Sequence, residues 1–333
     1  MTRVSLGDAS LTNMLARQGV ELRSQVQRAS QEVATGRHSD IGAVLGGDLS
    51  PLLAIDASLT RLRAFATTTS EAATQTAAQQ GALAGLSGLT SDVTATLLRA
   101  RDVATPIQVN ALGADMRGRL ASAVGLVNTQ TAGRAIFGGV ETRTTPLGTS
   151  EDMLAALATA SAGATTADQV VSAVRDWFAD PAGYGAFYRG GAPLSPAPIA
   201  PGEAAELTAT ALDPAIRDTL AGIATAALLD LGVLAGNSDE RARLAQRSGE
   251  ALLSSSDSRV GLAARIGSVE AQIETARTRN AAEESALGIV RANVGSVDPF
   301  DAATRLEAAR SQLESLYLVT ARVSRLSLVE FLR

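Results

Sequence analysis

Cysteine is absent from the 333 residues, so neither a disulfide framework nor a thiolate metal site or nucleophile is available. Lysine is absent too; all 29 basic side chains are arginine, which removes the P-loop lysine and every Schiff-base mechanism. The single histidine, His38, cannot build a histidine-based triad or a two-histidine metal site. It lies in a glycine-flanked loop and reads as solvated. Aromatic residues make up 3% of a chain that is 46% hydrophobic, with alanine supplying much of the difference, and alanine favours closely packed helices. A net charge of -5 suits a polyphosphate partner badly, which argues against nucleic acid. No apolar run approaches the ~20 residues that span a bilayer, which argues against a membrane partner. The opening Met1 to Ser10 lacks the basic stretch and apolar block of a cleavable secretory signal, so the expectation is a cytoplasmic protein or export without one.

What is present is helical periodicity. Leu15, Gly19, Leu22, Val26, Ala29 and Val33 draw one stripe along a first helix that should end near Gly36. Gly42, Gly46, Gly47 and Pro51 mark a loop. Ile55, Leu59, Leu62 and Ala66 then restart a stripe that continues weakly through Leu83, Leu86, Val93 and Leu97, which reads as one long helix with room for a break around Gly81 to Gly88. A further helix is predicted over about Asp115 to Gly133, followed by turn residues at Ile136, Phe137, Gly138 and Gly139.

The middle segment carries local signals. Thr166 with Gln169 forms a capping box and Asp180-Pro181 closes that helix. Asp213 and Pro214 open another, predicted to run to Gly236-Asn237. Pro193, Pro196, Pro198 and Pro201 forbid helix between them, flanked by Gly185 to Arg189 and Glu206 to Ala211 as candidate strands. Half of the ten aromatics fall here, at Trp177, Phe178, Tyr184, Phe187 and Tyr188; they read as a small core, or as a contact patch for a neighbouring subunit. Leu262, Ile266, Val269, Ile273, Ala276, Asn280, Glu283, Leu287, Val290, Val294 and Val297 then repeat at 4,3 spacing, the pattern of a coiled-coil seam ~54 Å long. Asn280 reads either as a register-fixing buried polar residue or as a solvent-facing edge. Asp298-Pro299 opens a last helix with Leu306, Ala309, Leu313, Leu316 and Val323. Adjacent Glu283 and Glu284 point to different helix faces and form no acid/base pair; Gly46-Gly47 and Gly138-Gly139 lack a following lysine and read as turns. The sequence therefore offers no candidate catalytic, cofactor-binding or metal-ligating residue, and no cofactor is expected.

Charge is uneven. From Glu151 to Glu240 twelve carboxylates face three arginines, whereas residues 1–40 and 301–333 each hold five arginines and four acids. Near-neutral ends pack side by side without strong repulsion. Both ends are long amphipathic helices, marginal alone in water, so they should fold onto the body or bind copies and partners.

Several motifs point to a family. Ala34-Thr35-Gly36-Arg37 is similar to the small-Ser/Thr-Gly-basic close of the first flagellin helix. Gly133-Arg134-Ala135-Ile136-Phe137-Gly138-Gly139, Asp298-Pro299 and Leu316 to Leu328 resemble the hook-filament junction (third hook-associated) family of the flagellin superfamily. The resemblance covers about residues 10–140 and 250–333. The Asp-Asp-Pro that usually follows the first helix is missing; Ser39, Asp40, a glycine-rich insert and Asp48 replace it.

The resemblance implies a mainly α, elongated flagellin-like coiled-coil bundle formed by the N- and C-terminal segments, with a small mixed α/β or α middle domain. Residues 1–50 are the N-terminal assembly helix and loop and 51–139 the N-terminal half of the core. Residues 140–240 are the outward middle domain, 241–297 the C-terminal half of the core, and 298–333 the C-terminal assembly helix. It implies a structural, non-enzymatic role in motility: joining hook to filament outside the cell after type III export. The implied partners are copies of itself, a hook-associated protein on the hook side, flagellin or another junction protein on the filament side, and an export chaperone. Leu15, Leu22, Val26, Val33, Leu306, Leu313, Leu316, Val323, Leu326, Leu328 and Phe331 are the expected assembly contacts. A flagellin that forms the filament itself, and a soluble coiled-coil adaptor or secreted effector, are the competing readings.

Overall fold

The computed structural model describes residues 6–331, which are mainly α with two small two-stranded antiparallel sheets. Two compact units form, one from residues 1–61 with 282–333 and one from residues 62–281.

The first unit contains α1 (Leu6–Thr35), α2 (Ile41–Val44), the start of α3 (Ser50–Leu98), the end of α10 (Ser238–Gly295) and α11 (Pro299–Phe331). Gly36 ends α1 with φ +65, a left-handed cap that glycine adopts without a Cβ penalty. The chain then bridges back. His38 N donates to Gly295 O (3.0 Å) and Val297 N to Gly36 O (3.0 Å), which fixes the end of α1 against the start of α11. Asp40 caps α2 by accepting from Ala43 N at 3.0 Å. Asp298 caps α11, accepting from Phe300 N at 2.8 Å and Asp301 N at 3.2 Å. α1 and α11 pack together antiparallel: Gly19 lies against Leu316 at one end of the pair and Glu32 against Arg305 at the other.

The second unit holds the remainder of α3, α4 (Ala100–Val103), α5 (Pro106–Val127), β1 (Gln130–Thr131), β2 (Arg134–Ala135), α6 (Ser150–Ala160) and α7 (Ala167–Ala179). It continues with α8 (Tyr184–Phe187), β3 (Ala197–Ala200), β4 (Glu203–Ala205), α9 (Pro214–Ala227) and the first part of α10. One core runs through it, joining Leu86 and Leu97 of α3, Met116 and Leu120 of α5, Phe137, Met153, Tyr184, Leu220 of α9 and Ile266 of α10. Residues of the 140–240 segment therefore share their core with the flanking long helices. The β3–β4 hairpin covers a smaller cluster of Ala72, Ile199, Ala205, Leu207, Ile273 and Ala276.

Several expectations are corrected. α3 does not break at Gly81 to Gly88. A Cβ on Gly85 would lie 2.8 Å from Leu126 Cδ1, so glycine here admits α5 rather than ending the helix. α5 begins at Pro106, well before Asp115, because Thr105 and Gln108 form a capping box. It ends at Val127, and a β-hairpin follows whose turn residues Ala132 and Gly133 both have positive φ. At α7, Thr166 Oγ1 accepts from Gln169 N, but the Gln169 side chain accepts from Thr165 N (2.7 Å), one residue earlier than a capping box requires. The strands are not the predicted flanks: Gly185 to Arg189 overlaps the single turn α8, and the pairing joins the proline-rich stretch to the residues just after it, Ala197 opposite Ala205 and Pro198 opposite Ala204. A two-stranded ribbon has free edges, where a proline without N–H is tolerated. α9 stops at Ala227, and Gly232 (φ +77) and Leu234 (φ +59) turn the chain before α10.

Candidate assembly surface

The seam between α1 and α11 uses much of the stripe read from the sequence. Leu22 and Leu316 are buried; Leu15, Val26, Leu306, Leu313 and Val323 are half-buried; Val33 is exposed. The side chains of Leu326, Leu328 and Phe331 lie outside the described residues. Ala29, Ala302 and Ala309 complete the buried face, and these small residues let the two helices approach closely. The chain's own terminal helices thus fill part of the face expected to pack between copies.

What stays uncovered lies on the other sides of the same helices. Leu316, Tyr317, Leu318 and Val319 are consecutive, so at 100° per residue they surround α11 completely. Only Leu316 is buried by α1, and Leu318 is 68% exposed. On α1, Val20 lies about opposite the seam and is also exposed. A helix that is apolar all round is normally enclosed on all sides. Thirteen of the nineteen exposed large apolar side chains among the described residues belong to the first unit, the smaller of the two.

Ionic contacts brace this unit. Glu32 is buried near the end of α1, accepts from Ser39 N (3.0 Å) and Ser39 Oγ (3.1 Å), and lies 3.3 Å from Arg305 Nη1. Burial raises its pKa, but the Ser39 hydrogen bonds, then the charges of Arg305 and His38, outweigh this and hold it below the usual carboxylate value. His38 is not solvated as its loop position implied: its side chain is mostly buried, with Nδ1 3.8 Å from Glu32. Arg291 pairs with Asp56.

In the second unit the aromatic group is a core feature. Trp177 stacks edge-on against Phe178, Tyr184 and Phe187, and the Tyr184 hydroxyl donates to Ala211 O at 2.8 Å. Burial pushes the Tyr184 pKa up. Asn280 is buried and donates from Nδ2 to Ile199 O at 2.7 Å, holding β3 rather than a second helix. Arg259, which sequence reading passed over, is buried without a carboxylate; its guanidinium donates to Thr219 Oγ1 (2.9 Å), Ser255 Oγ (2.7 Å) and Thr90 Oγ1 (3.2 Å). A cleft between α7, α9 and α10 carries Arg247 clamped between Asp168 and Glu250, both at 2.9 Å, so these carboxylates serve ion pairs. Among the described residues no cluster could hold a metal ion, and no helix is long and apolar enough to cross a membrane.

No family model matches the sequence, and no characterised protein matches it at a significant level. Among solved structures, the chain is similar to one from Vibrio parahaemolyticus provisionally assigned as a flagellar hook-associated protein. Identity is 13%, the TM-score is 0.48, and the match covers 73% of this chain and 95% of that one.

Proposed function

We propose that this chain is a structural subunit of the bacterial flagellum that joins hook to filament by helix packing, without catalysis. The observation that carries the reading is the Leu316–Val319 turn: one face is covered by α1, and the exposed Tyr317, Leu318 and Val319 need neighbours from other molecules. The resemblance of Phe137-Gly138-Gly139 and of part of α11 to the hook-filament junction family supports the particular role. Its partners on this reading are copies of itself, a hook-associated protein on one side and flagellin on the other, with export by the type III route and an export chaperone.

Deleting the gene tests the role. The expected result is hooks without filaments and flagellin released into the medium; filaments of normal length would overturn the junction role. A soluble coiled-coil adaptor is the second reading, favoured by the burial of Leu22 and Leu316 within the chain. The Leu318→Arg variant separates the two. On the assembly reading the monomer melts as wild type while assembly is lost; a wild-type chain that never associates favours the adaptor.

A further inference from the structure

From Glu151 to Glu240 the chain has three arginines, Arg175, Arg189 and Arg217, and two of them meet in one place. Arg175 of α7 and Arg217 of α9 line the cleft between α7, α9 and α10, whose volume of about 680 Å³ is that of a small-molecule site. Arg247 of α10 lines it too, and so do three carboxylates. Asp168 and Glu250 are both taken by Arg247, and Asp218 lies 3.6 Å from Nε of Arg217. Arg175 is exposed, and its side chain has no hydrogen-bond or ion-pair partner among the described residues.

A further positive charge stands behind the cleft. Ser255 lines it and accepts from Arg259 Nη1 at 2.7 Å. Arg259 is 5% exposed and donates to three hydroxyls, while its Nε has no hydrogen-bond partner. The three carboxylates of the cleft balance the three arginines that line it, so the charge of Arg259 is left over. A buried guanidinium without a counter-ion is costly, and an anion brought close to it offsets that cost. Much of the remaining wall is apolar, formed by Val171, Val174 and Phe178 of α7 with Ala221 and Ala251.

We infer that this cleft binds a small organic anion, an oxyanion group carried on a compact apolar body. Arg175 and Arg217 hold the oxyanion, since the guanidinium fork matches phosphate and carboxylate oxygens. Arg259 adds its field through Ser255, and the apolar body lies against the α7 wall. The site belongs to the second unit alone and does not depend on the assembly reading. A ligand held by α7, α9 and α10 together stabilises that unit as its concentration rises.

Isothermal titration of the full chain at low ionic strength tests it, with phenyl phosphate and benzoate as probes. One site per chain is expected, weakened by added salt. Arg175→Gln and Arg217→Gln should each weaken binding about tenfold, whereas Arg189→Gln, outside the cleft, should bind as wild type. Arg259→Met should also bind more weakly and lose the rise in melting temperature that phenyl phosphate gives the wild type. Arg175 is exposed, so its variant keeps the test valid should Arg217→Gln fail to fold.

Failure of both probes to bind at about 10 mM overturns the site. So does binding that Arg175→Gln and Arg259→Met leave unchanged, because the ligand then sits elsewhere. Benzamidine, a cation of similar shape, binding as tightly would remove the charge selection, and inorganic phosphate binding as tightly would remove the apolar body; either result overturns the ligand class.

Discussion

Arg305 of α11 reaches to 3.3 Å from Glu32 of α1, a carboxylate that already accepts two hydrogen bonds from Ser39. One buried acid therefore ties the end of the first helix, the loop after it and the last helix. Replacing it with glutamine keeps the shape but loses the charge-assisted bonds, at an expected cost of about 1–3 kcal/mol. Its folded pKa lies below the ordinary 4.5, so its contribution is complete above that value and is lost as pH falls through the lowered one. Thermal melting between pH 6 and 3 should show this loss in the wild type and a flatter profile in Glu32→Gln. Identical profiles would remove Glu32 from the account.

Arg259 leads to a less intuitive expectation. The hydroxyls that receive its hydrogen bonds give their own protons to helix carbonyls: Thr90 to Leu86 O, Thr219 to Ala215 O and Ser255 to Leu252 O. Removing the guanidinium strands no donor, and burial without a carboxylate lowers the Arg259 pKa, the sign of an uncompensated charge. Arg259→Met should therefore melt at or above the wild-type temperature, whereas Arg259→Ala leaves a cavity and should lose about 2–5 kcal/mol. A loss above about 2 kcal/mol in the methionine variant would show that the charge itself stabilises the fold.

Asn280 holds a strand. Replacing it with leucine leaves the buried Ile199 carbonyl without its 2.7 Å donor, at about 1–3 kcal/mol. Amide hydrogen exchange in β3 and β4 should accelerate well beyond that in α7. Unchanged protection of the hairpin would contradict this role.

Two helical glycines should respond in opposite directions. A Cβ at Gly249 would lie 2.8 Å from Leu98 N and 3.0 Å from Leu97 Cβ, and a backbone cannot yield there, so Gly249→Ala should destabilise by about 1–3 kcal/mol. Nothing lies within 4 Å of a Cβ at Gly88, and Gly88→Ala should stabilise α3 by about 0.5–1 kcal/mol. Chemical denaturation of both variants, side by side, reads the difference.

The seams of the two longest helices show how far the sequence can be read. The stripe in α3 looked weak because it alternates with Thr69, Thr76, Gln79 and Thr90, which are buried all the same. Each threonine turns its hydroxyl to a carbonyl of its own helix, as Thr69 does to Phe65 O at 2.8 Å, so its oxygen is satisfied without leaving the seam. In α10 the repeat read from Leu262 onward extends back through Arg259, Ser255, Leu252, Ser248, Ala245 and Arg241, all buried. A hydropathy pattern misses these positions because three-dimensional partners make them tolerable: Ser248 donates to Gly222 O at 2.7 Å, and Arg241 to Leu229 O at 2.8 Å.

The order of residues alone determined that the chain is mainly helical, where Gly36 and Asp298-Pro299 place two of its ends, and which chemistries are closed to it. Those properties depend on local backbone preference and on residue inventory, and both act within a few positions. The partners of each face were decided only in three dimensions. Whether a glycine breaks a helix or admits a neighbour, whether Asn280 meets a helix or a strand, and whether Leu22 is covered by Leu316's helix or by another molecule depend on what lies across the gap. No local pattern in the chain encodes that distance.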